Sequence, residues 1–208
     1  MTGSQKALSM PTGLGLCCVS NKALEASKTA TLPRFFFSFD DMIATNKELN
    51  FPYTPSIPLL HGLKEALACI SDEGLDNVIA RHARLAEGTR RAVDAWGLKL
   101  LCKHPRWNSN SLSVIEVPPG IDSNMIVKTA YCKYNLTIGV GLSEVNGKVF
   151  RIGHLGDMNE VSMLGAIAGV EMAMRDCGIK SFEFGAGVGA AAKYWQETSS
   201  VIRSREII

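Results

Sequence analysis

The chain has 208 residues, of which 46% are hydrophobic and 20% are charged, a composition typical of globular proteins. Its 22 lysines and arginines against 20 acidic residues give a net charge of +2, which argues against a dedicated nucleic-acid-binding protein with a basic surface. No apolar run approaches the roughly 18 residues that span a bilayer, so we expect neither a membrane-spanning segment nor a secretory signal.

The first fifty residues predict short elements joined by loops. The apolar run 14–19 is bounded by turn-forming residues and predicts a buried strand, and residues 21–26 predict a short helix. The aromatic run 35–39 predicts either a strand or a buried loop. We expect Asp40 or Asp41 to cap the short helix that follows, because a side-chain oxygen there accepts from the free amides of the first turn.

The middle of the chain predicts two helices after a proline-rich segment. Three prolines within 51–58 favour extended backbone, and the last of them suits the first turn of a helix. Apolar residues at spacings of three and four across 59–70 predict that helix, which Gly74 ends. A longer helix is predicted at 75–96. Its charged residues, read as a solvated face, are Arg81, Arg84, Glu87, Arg90, Arg91 and Asp94.

The remainder alternates between strand and helix patterns and predicts a small α+β unit. The strands are expected at 111–117, 136–140 and 148–154, and the helices at about 122–134 and 159–177. Residues 181–208 combine a glycine- and alanine-rich stretch with a polar end, and we expect a loose tail there.

The cysteines and histidines do not form a recognisable site in the sequence. The irregular spacing of the six cysteines predicts reduced, mostly buried thiols rather than disulfides or a zinc site. The four histidines are scattered, so no metal site is expected. Gly139 and Gly141 do not extend to a dinucleotide-binding motif.

Two basic residues are candidates for chemistry. Lys6 lies between small polar residues and an apolar run, where a lysine can act as an amine nucleophile or can simply be an exposed surface residue. Arg151 interrupts an apolar strand pattern, and a buried arginine needs a partner. That partner is either a structural carboxylate or the carboxylate of a ligand, which the planar guanidinium binds bidentately.

Several ordered segments resemble the class V aminotransferases, which are fold-type-I pyridoxal-phosphate enzymes. The segments that carry the resemblance are 2–13 (TGSQKALSMPTG), 51–57 (FPYTPSI), 73–75 (EGL), 79–85 (IARHARL) and 147–156 (GKVFRIGHLG). The resemblance implies an α/β fold in which residues 1–77 complete the large cofactor domain and residues 78–180 form a small α+β domain. It also implies transamination of glyoxylate to glycine with serine or alanine as amino donor.

The same resemblance assigns roles to individual residues. Lys6 is implied to hold pyridoxal 5'-phosphate covalently and to move the proton at the substrate Cα. Arg151 is implied to bind the substrate carboxylate. Gln5, Thr54 and Tyr53 are implied to contact the cofactor, with Thr54 and Tyr53 reaching across the interface of a homodimer.

The sequence departs from the family pattern in three places. A tyrosine of the family is replaced by Phe51, which leaves Tyr53 as the candidate hydroxyl. Family members carry about another half-chain before the lysine, with the Asp that pairs with the cofactor ring, so we expect a fragment. Relatives of the plant type also end in a peroxisomal tripeptide and serve photorespiration, whereas this chain ends at 204–208 with SREII.

Two other interpretations stay open. A chain without the cofactor-binding half could be a non-catalytic dimerisation module that covers its apolar faces with a partner. A cysteine desulfurase of the same class would need a reactive thiol on a mobile loop. Cys102 and Cys132 are the candidates, although neither is predicted on a glycine-rich loop.

Overall fold

The computed structural model describes residues 1–199 and divides into two compact units. Unit 1 is Met1–Cys69, and unit 2 begins at Ile70. This boundary falls inside helix α3 (Ile57–Glu73), somewhat before the domain end that the sequence predicted at residue 77. The last turn of α3 groups with unit 2 because the Glu73 carboxylate binds Arg81 there.

Unit 1 consists of short elements. They are strands β1 (Thr2–Gly3) and β2 (Gly15–Leu16), helices α1 (Asn21–Lys28) and α2 (Phe39–Lys47), and the first part of α3. The two strands pair antiparallel, with Thr2 opposite Leu16. The predicted strand 14–19 is therefore reduced to two residues, whereas α1 starts where the sequence predicted it.

Two expectations for unit 1 are wrong. The cap of α2 is Ser38, whose hydroxyl accepts from the Asp41 amide at 3.2 Å, instead of Asp40 or Asp41. The aromatic run is an exposed loop, with Phe35 79% and Phe37 74% accessible. It remains exposed because neither α1 nor α2 buries a residue and so no core exists there to cover it.

The exposed rings of unit 1 associate with one another. Phe36 stacks on Tyr53 with ring centroids 4.9 Å apart, and Phe37 meets Phe36 edge-on at 5.4 Å. Phe35 lies 6.0 Å from the Tyr53 ring. We call these four residues the aromatic patch.

Unit 2 is a four-stranded antiparallel sheet with helices. Its elements are α4 (Leu75–Ala95), β3 (Lys99–Leu100), β4 (Leu112–Glu116), α5 (Ser123–Tyr134), β5 (Gly139–Val140), β6 (Val149–Gly153), α6 (Glu160–Asp176) and α7 (Ala186–Glu197). The strand order is β3-β4-β6-β5. The sequence predicted each of these elements except β3 and α7. The core includes Leu85, Trp96, Ile115, Phe150 and Ile167, all fully buried.

Helix α7 (Ala186–Glu197) lies within the loose tail that was predicted from residue 181, so that prediction is wrong for these twelve residues. It packs on α4, where Gly88 leaves room for the Trp195 ring and has no space for a Cβ. The Trp195 indole also donates to the Arg84 carbonyl at 3.0 Å. Small residues therefore hold this helix through close contact, which composition alone does not reveal. The predicted tail beyond residue 199 and the C-terminal SREII lie outside the described residues.

A buried carboxylate organises the beginning of α7. Glu171 of α6 is 1% exposed and accepts from the amides of Gly185 at 2.8 Å and Gly187 at 2.6 Å. It also accepts from the Trp96 indole at 2.8 Å. These bonds satisfy backbone donors that a helix N-terminus leaves unpaired.

The charged residues of α4 do not form a uniformly solvated face. Arg81 is 7% exposed and Arg84 is half-buried, because both bind other segments of unit 2. The expectation of mostly buried cysteines is also wrong. All six are free thiols, four of them exposed and two partly buried. No described helix combines the length and apolarity needed to cross a membrane.

Candidate functional site

Lys6 lies on a loop of residues 4–14 that Ser4 closes. The buried Ser4 hydroxyl donates to the Pro11 carbonyl at 2.7 Å and accepts from the Leu14 amide at 3.3 Å. The Ser4 backbone bonds to Leu14 and to Met10 at 3.1 and 3.2 Å. Lys6 is exposed, and within residues 1–199 its amine has no hydrogen-bond or ion-pair partner. The loop thus presents an unengaged primary amine.

The rest of the Lys6 loop rests on helix α3. The Met10 side chain is buried and lies close to Gly62, where an added Cβ would be 3.3 Å from the Met10 methyl group. Gly13 has φ +134° and lies beside Leu59. Both contacts belong to unit 1, and they place residues 10–13 of the loop against α3. The Gln5 side chain lies over Gly3, whose added Cβ would be 2.9 Å from Gln5 Oε1.

Tyr53 and Thr54 lie in the extended segment before α3. Both are exposed, and the Tyr53 ring belongs to the aromatic patch. Among the bonds of the described chain, none joins either residue to Lys6 or Gln5. The structure therefore leaves the Thr54 hydroxyl available and shows no bond that links the four cofactor candidates in the described chain.

Arg151 lies in the middle of β6 and is half-buried. Val114 of β4 and Gly139 of β5 are its partners in the strand register. Its Nε donates to the Val140 carbonyl at 2.8 Å. Nη1 and Nη2 bind no group of residues 1–199, so the structural carboxylate that the sequence left open is absent from this range. The two free nitrogens form a fork suited to a carboxylate.

Gly139 makes room for the Arg151 side chain, a contact that the sequence did not predict. A Cβ at this position would lie 2.9 Å from Arg151 Nε, so only glycine lets the guanidinium lie across β5 in this way. The glycines at 139 and 141 were tested only as a nucleotide-binding motif. The signal that could have found this role is the glycine itself in a short strand predicted to pair beside the arginine.

The end of β6 is held by a buried histidine. His154 Nδ1 donates to the Asn110 carbonyl at 3.0 Å, and Nε2 lies 3.0 Å from the Ser113 hydroxyl. The pKa of His154 is lowered to about 4, chiefly by burial, with a smaller contribution from the charge of the nearby Arg90. The hydrogen bond to Asn110 acts in the opposite direction. The ring is therefore neutral at pH 7 and serves as a fixed anchor.

Other possible sites are less complete. A cavity of about 470 Å³ in unit 2 is lined by Leu101, Trp107 and Val114 among others, but Arg151 does not line it. No cluster of three metal-ligating side chains occurs in the described part of the chain. Cys132 lies on α5, and Cys102 follows β3, so neither thiol has the glycine-rich loop of a desulfurase.

Comparison with known proteins places these residues in context. No protein-family model matches the chain. The chain is 54% identical over 202 residues to the serine–glyoxylate aminotransferase of Hyphomicrobium methylovorum. The alignment covers 96% of this chain and 50% of that protein. The chain is also 45% identical over 205 residues to the L-aspartate–glyoxylate aminotransferase of Paracoccus denitrificans. That alignment covers 99% of this chain and 52% of the relative.

A solved structure gives the same correspondence. The fold matches pyridoxamine–pyruvate aminotransferase from Mesorhizobium loti with a TM-score of 0.85 and 30% identity, covering 93% of this chain and 50% of the other. The chain spans about half the length of the relatives that it matches.

Proposed function

Because the chain belongs to the class V aminotransferases, we propose that it supplies the reactive lysine and the carboxylate-binding arginine of a pyridoxal-phosphate-dependent glyoxylate transaminase. The observation that carries the proposal is the state of Arg151. A half-buried arginine in a packed strand keeps two nitrogens without a partner among residues 1–199. Partial burial of these nitrogens costs free energy, because they lose part of their hydration. The binding of an anionic ligand would offset that cost.

The side chains of unit 1 fit the cofactor by their donor chemistry. Lys6 offers a primary amine that can bond covalently to an aldehyde. The Thr54 hydroxyl and the Gln5 amide can donate to phosphate or ring oxygens, and the Tyr53 hydroxyl is a further donor. When bound, pyridoxal 5'-phosphate supplies an electron-withdrawing ring that stabilises negative charge at the substrate Cα.

Lys6 then has two tasks in the proposed reaction. Its amine would hold the cofactor and, once released by the incoming amino acid, would remove the proton from the Cα of the amino donor. In the reverse half-reaction it would return a proton to the Cα of the product. The Ser4-closed loop keeps the lysine backbone in place during both tasks. Freedom of the long side chain allows the amine to move between the two positions.

Arg151 binds the carboxylate that every substrate of the reaction carries. Because Nε is engaged with the Val140 carbonyl, the carboxylate meets the guanidinium through Nη1 and Nη2. Both amino donor and 2-oxo acid acceptor present the same group there. One arginine can therefore serve both halves of a transamination.

Glyoxylate is the proposed acceptor, because both aminotransferases compared above are named for glyoxylate. Serine or alanine is the proposed donor, and glycine is the product. We also propose a homodimer in which Thr54 and Tyr53 serve the partner's cofactor, a role supported by their exposure and by the aromatic patch. A peroxisomal, photorespiratory setting is proposed from the resemblance to the plant-type branch.

The aromatic patch also favours the second candidate function, a non-catalytic dimerisation module. The two candidates differ in what happens to Lys6. The protein expressed from its complete gene is incubated with pyridoxal 5'-phosphate, treated with borohydride and digested. Mass spectrometry of the peptides then locates the reduced pyridoxyl group.

We expect the label on Lys6, and conversion of glyoxylate to glycine with L-serine as donor. The Lys6→Arg variant should lose the label and at least about a hundredfold in rate, the usual contribution of a positioned acid or base. Lys22→Arg, at an exposed position on α1, is the matched control. Label spread evenly over surface lysines would instead favour the dimerisation module.

A further inference from the structure

The strand that carries Arg151 continues into a short loop before α6. This loop, residues 154–158, includes Gly156 with φ +94°, a backbone conformation that side chains rarely adopt. Two residues of α4 bind the Gly156 backbone, one at its amide and the other at its carbonyl. The polar network that does this is buried and has no part in the mechanism proposed above.

His82 supplies the first contact. The ring is 8% exposed, and Nδ1 donates to the Val78 carbonyl one helical turn earlier, at 2.7 Å. That bond fixes the tautomer, so Nε2 carries a lone pair. The Gly156 amide donates to Nε2 at 2.9 Å. His82 is therefore a rigid acceptor aimed at one backbone amide.

Arg81 supplies the second contact. Its Nη1 donates to the Gly156 carbonyl at 2.8 Å and to the Met158 carbonyl at 3.0 Å. Its Nε and Nη2 form a bidentate pair with Glu73 at 2.6 and 2.9 Å. The charge of this buried arginine is thereby balanced, and its remaining donors are committed to the loop.

These contacts bear on Arg151 through the strand. Among residues 1–199 the Arg151 side chain makes one hydrogen bond, to the Val140 carbonyl, so the position of its two terminal nitrogens depends on where β6 lies. The strand is held along its length by pairing and at its end by His154 and Gly156. A shift of the Gly156 peptide would slide or rotate β6, and small misplacements of a binding group are costly.

We propose that His82 is a positioning residue for Arg151: through the Gly156 amide it sets the affinity of the site for the substrate carboxylate. The proposal rests on the proposed function in one respect, that Arg151 binds the carboxylate. It requires no contact between His82 and the substrate. It predicts that the effect of His82 on carboxylate binding exists only while Arg151 is present.

The test is a double-substitution cycle in the protein expressed from its complete gene and loaded with cofactor. The probe is glyoxylate in the absence of an amino donor, and its Kd is measured by calorimetry. We expect His82→Leu to raise the Kd about tenfold in the Arg151 background and to leave it unchanged in the Arg151→Ala background. His82→Gln, whose amide oxygen can take the place of Nε2, should restore most of the affinity.

His61→Leu, the same replacement at an exposed position of α3, is the control and should have no effect. The kinetic counterpart is a raised KM for glyoxylate with kcat within about twofold of the parent. An equal loss of affinity in both Arg151 backgrounds, or no loss in either, would overturn the proposal, and so would an Arg151→Ala variant that binds as tightly as the parent.

The borohydride label on Lys6 separates this proposal from the proposed function. If Lys6 takes no label but glyoxylate binding still depends on Arg151 and, through it, on His82, the proposed function fails and the positioning role stands. If His82→Leu does not fold, His82→Phe, which keeps a ring but lacks both nitrogens, takes its place in the cycle with Arg151→Ala.

Discussion

The Lys6 loop and the Arg151 strand hold their functional groups by different physical means. The loop depends on a few directional bonds, four of which involve Ser4, and the side chains around Lys6 are mostly exposed. The strand has a neighbour on each side, and the adjacent Phe150 and Ile152 are buried in the core. The loop is held by a few hydrogen bonds and by contacts with α3, whereas the strand is paired on both sides and buried in the core.

The difference fits the chemistry proposed above for the two groups. A lysine that must both hold a cofactor and move a proton needs a firm backbone and a free amine. An arginine that binds one carboxylate in one geometry needs its guanidinium held as well, which β6 and Val140 provide. Substitutions in the loop should therefore act locally, whereas those at buried positions of the strand region should lower the stability of unit 2.

The largest expected effect is a loss of folding stability at acid pH, caused by protonation of the buried His154 in the strand region. The pKa of His154 is about 4 when folded and near 6.5 when unfolded, so its stabilising contribution is complete above pH 6.5 and is lost as the pH falls toward 4. At about 1.4 kcal/mol per pKa unit, the loss amounts to roughly 3 kcal/mol. Denaturant unfolding at pH 7 and pH 4 measures it.

A comparison of variants isolates this histidine from the carboxylates that also titrate. His154→Gln should show an acid-induced loss of stability smaller by that amount, and His61→Gln, at an exposed site, should behave like the parent. Identical pH dependence in His154→Gln and the parent would mean that the burial of His154 does not contribute to acid sensitivity.

A smaller effect is expected when the loop loses its central hydroxyl. Ser4→Ala removes the bond to the Pro11 carbonyl and the acceptor of the Leu14 amide, which together are worth about 2 kcal/mol. Hydrogen exchange of the Leu14 amide should accelerate roughly thirtyfold, with little change in the amides of unit 2. Ser71→Ala, at an exposed position of α3, is the control.

Acceleration spread evenly over both units would contradict the comparison, because it would show that the loop is not an independent, locally held structure. Unchanged exchange at Leu14 would show that packing of Met10 and Leu59 suffices to close the loop.

The smallest expected effect is a change in glyoxylate affinity when the Arg151 guanidinium is displaced but keeps its charge. In Gly139→Ala the new methyl group would lie 2.9 Å from Arg151 Nε and displace the guanidinium from Val140. We expect the Kd for glyoxylate to rise about tenfold with stability nearly unchanged. The matched control is Gly153→Ala on β6, where no atom lies within 4 Å of the added Cβ. Equal Kd values for the two variants would show that the fork adapts without cost.

Local signals in the sequence were sufficient for much of the fold. The helices α5 and α6 lie where their residue patterns predicted them and are capped by Asp122 and Asn159, and Gly97, with φ +68°, follows α4. Helix α7 could not be predicted in the same way. Its stability comes from close contact with Gly88 and from Glu171, both distant in sequence.

In the candidate site, too, residues with a local sequence signal were predicted, whereas residues that act through distant contacts were not. Lys6 and Arg151 were found from motifs, and the strand pattern around Arg151 was correct. The roles of Arg81 and Gly139 were missed. A charged residue on an amphipathic helix is usually solvated, and only the three-dimensional structure shows that Arg81 faces Glu73 and Gly156.

The carboxylate at the beginning of α7 has a consequence for anion selectivity. A glycine-opened helix terminus with converging amides is the kind of place where a phosphate settles. Here Glu171 already occupies it, as a built-in competitor on the same chain. An incoming phosphate would meet electrostatic repulsion instead of vacant amides. Unit 2 is thereby closed to phosphate at this terminus, while Arg151 keeps its two terminal nitrogens open for a carboxylate.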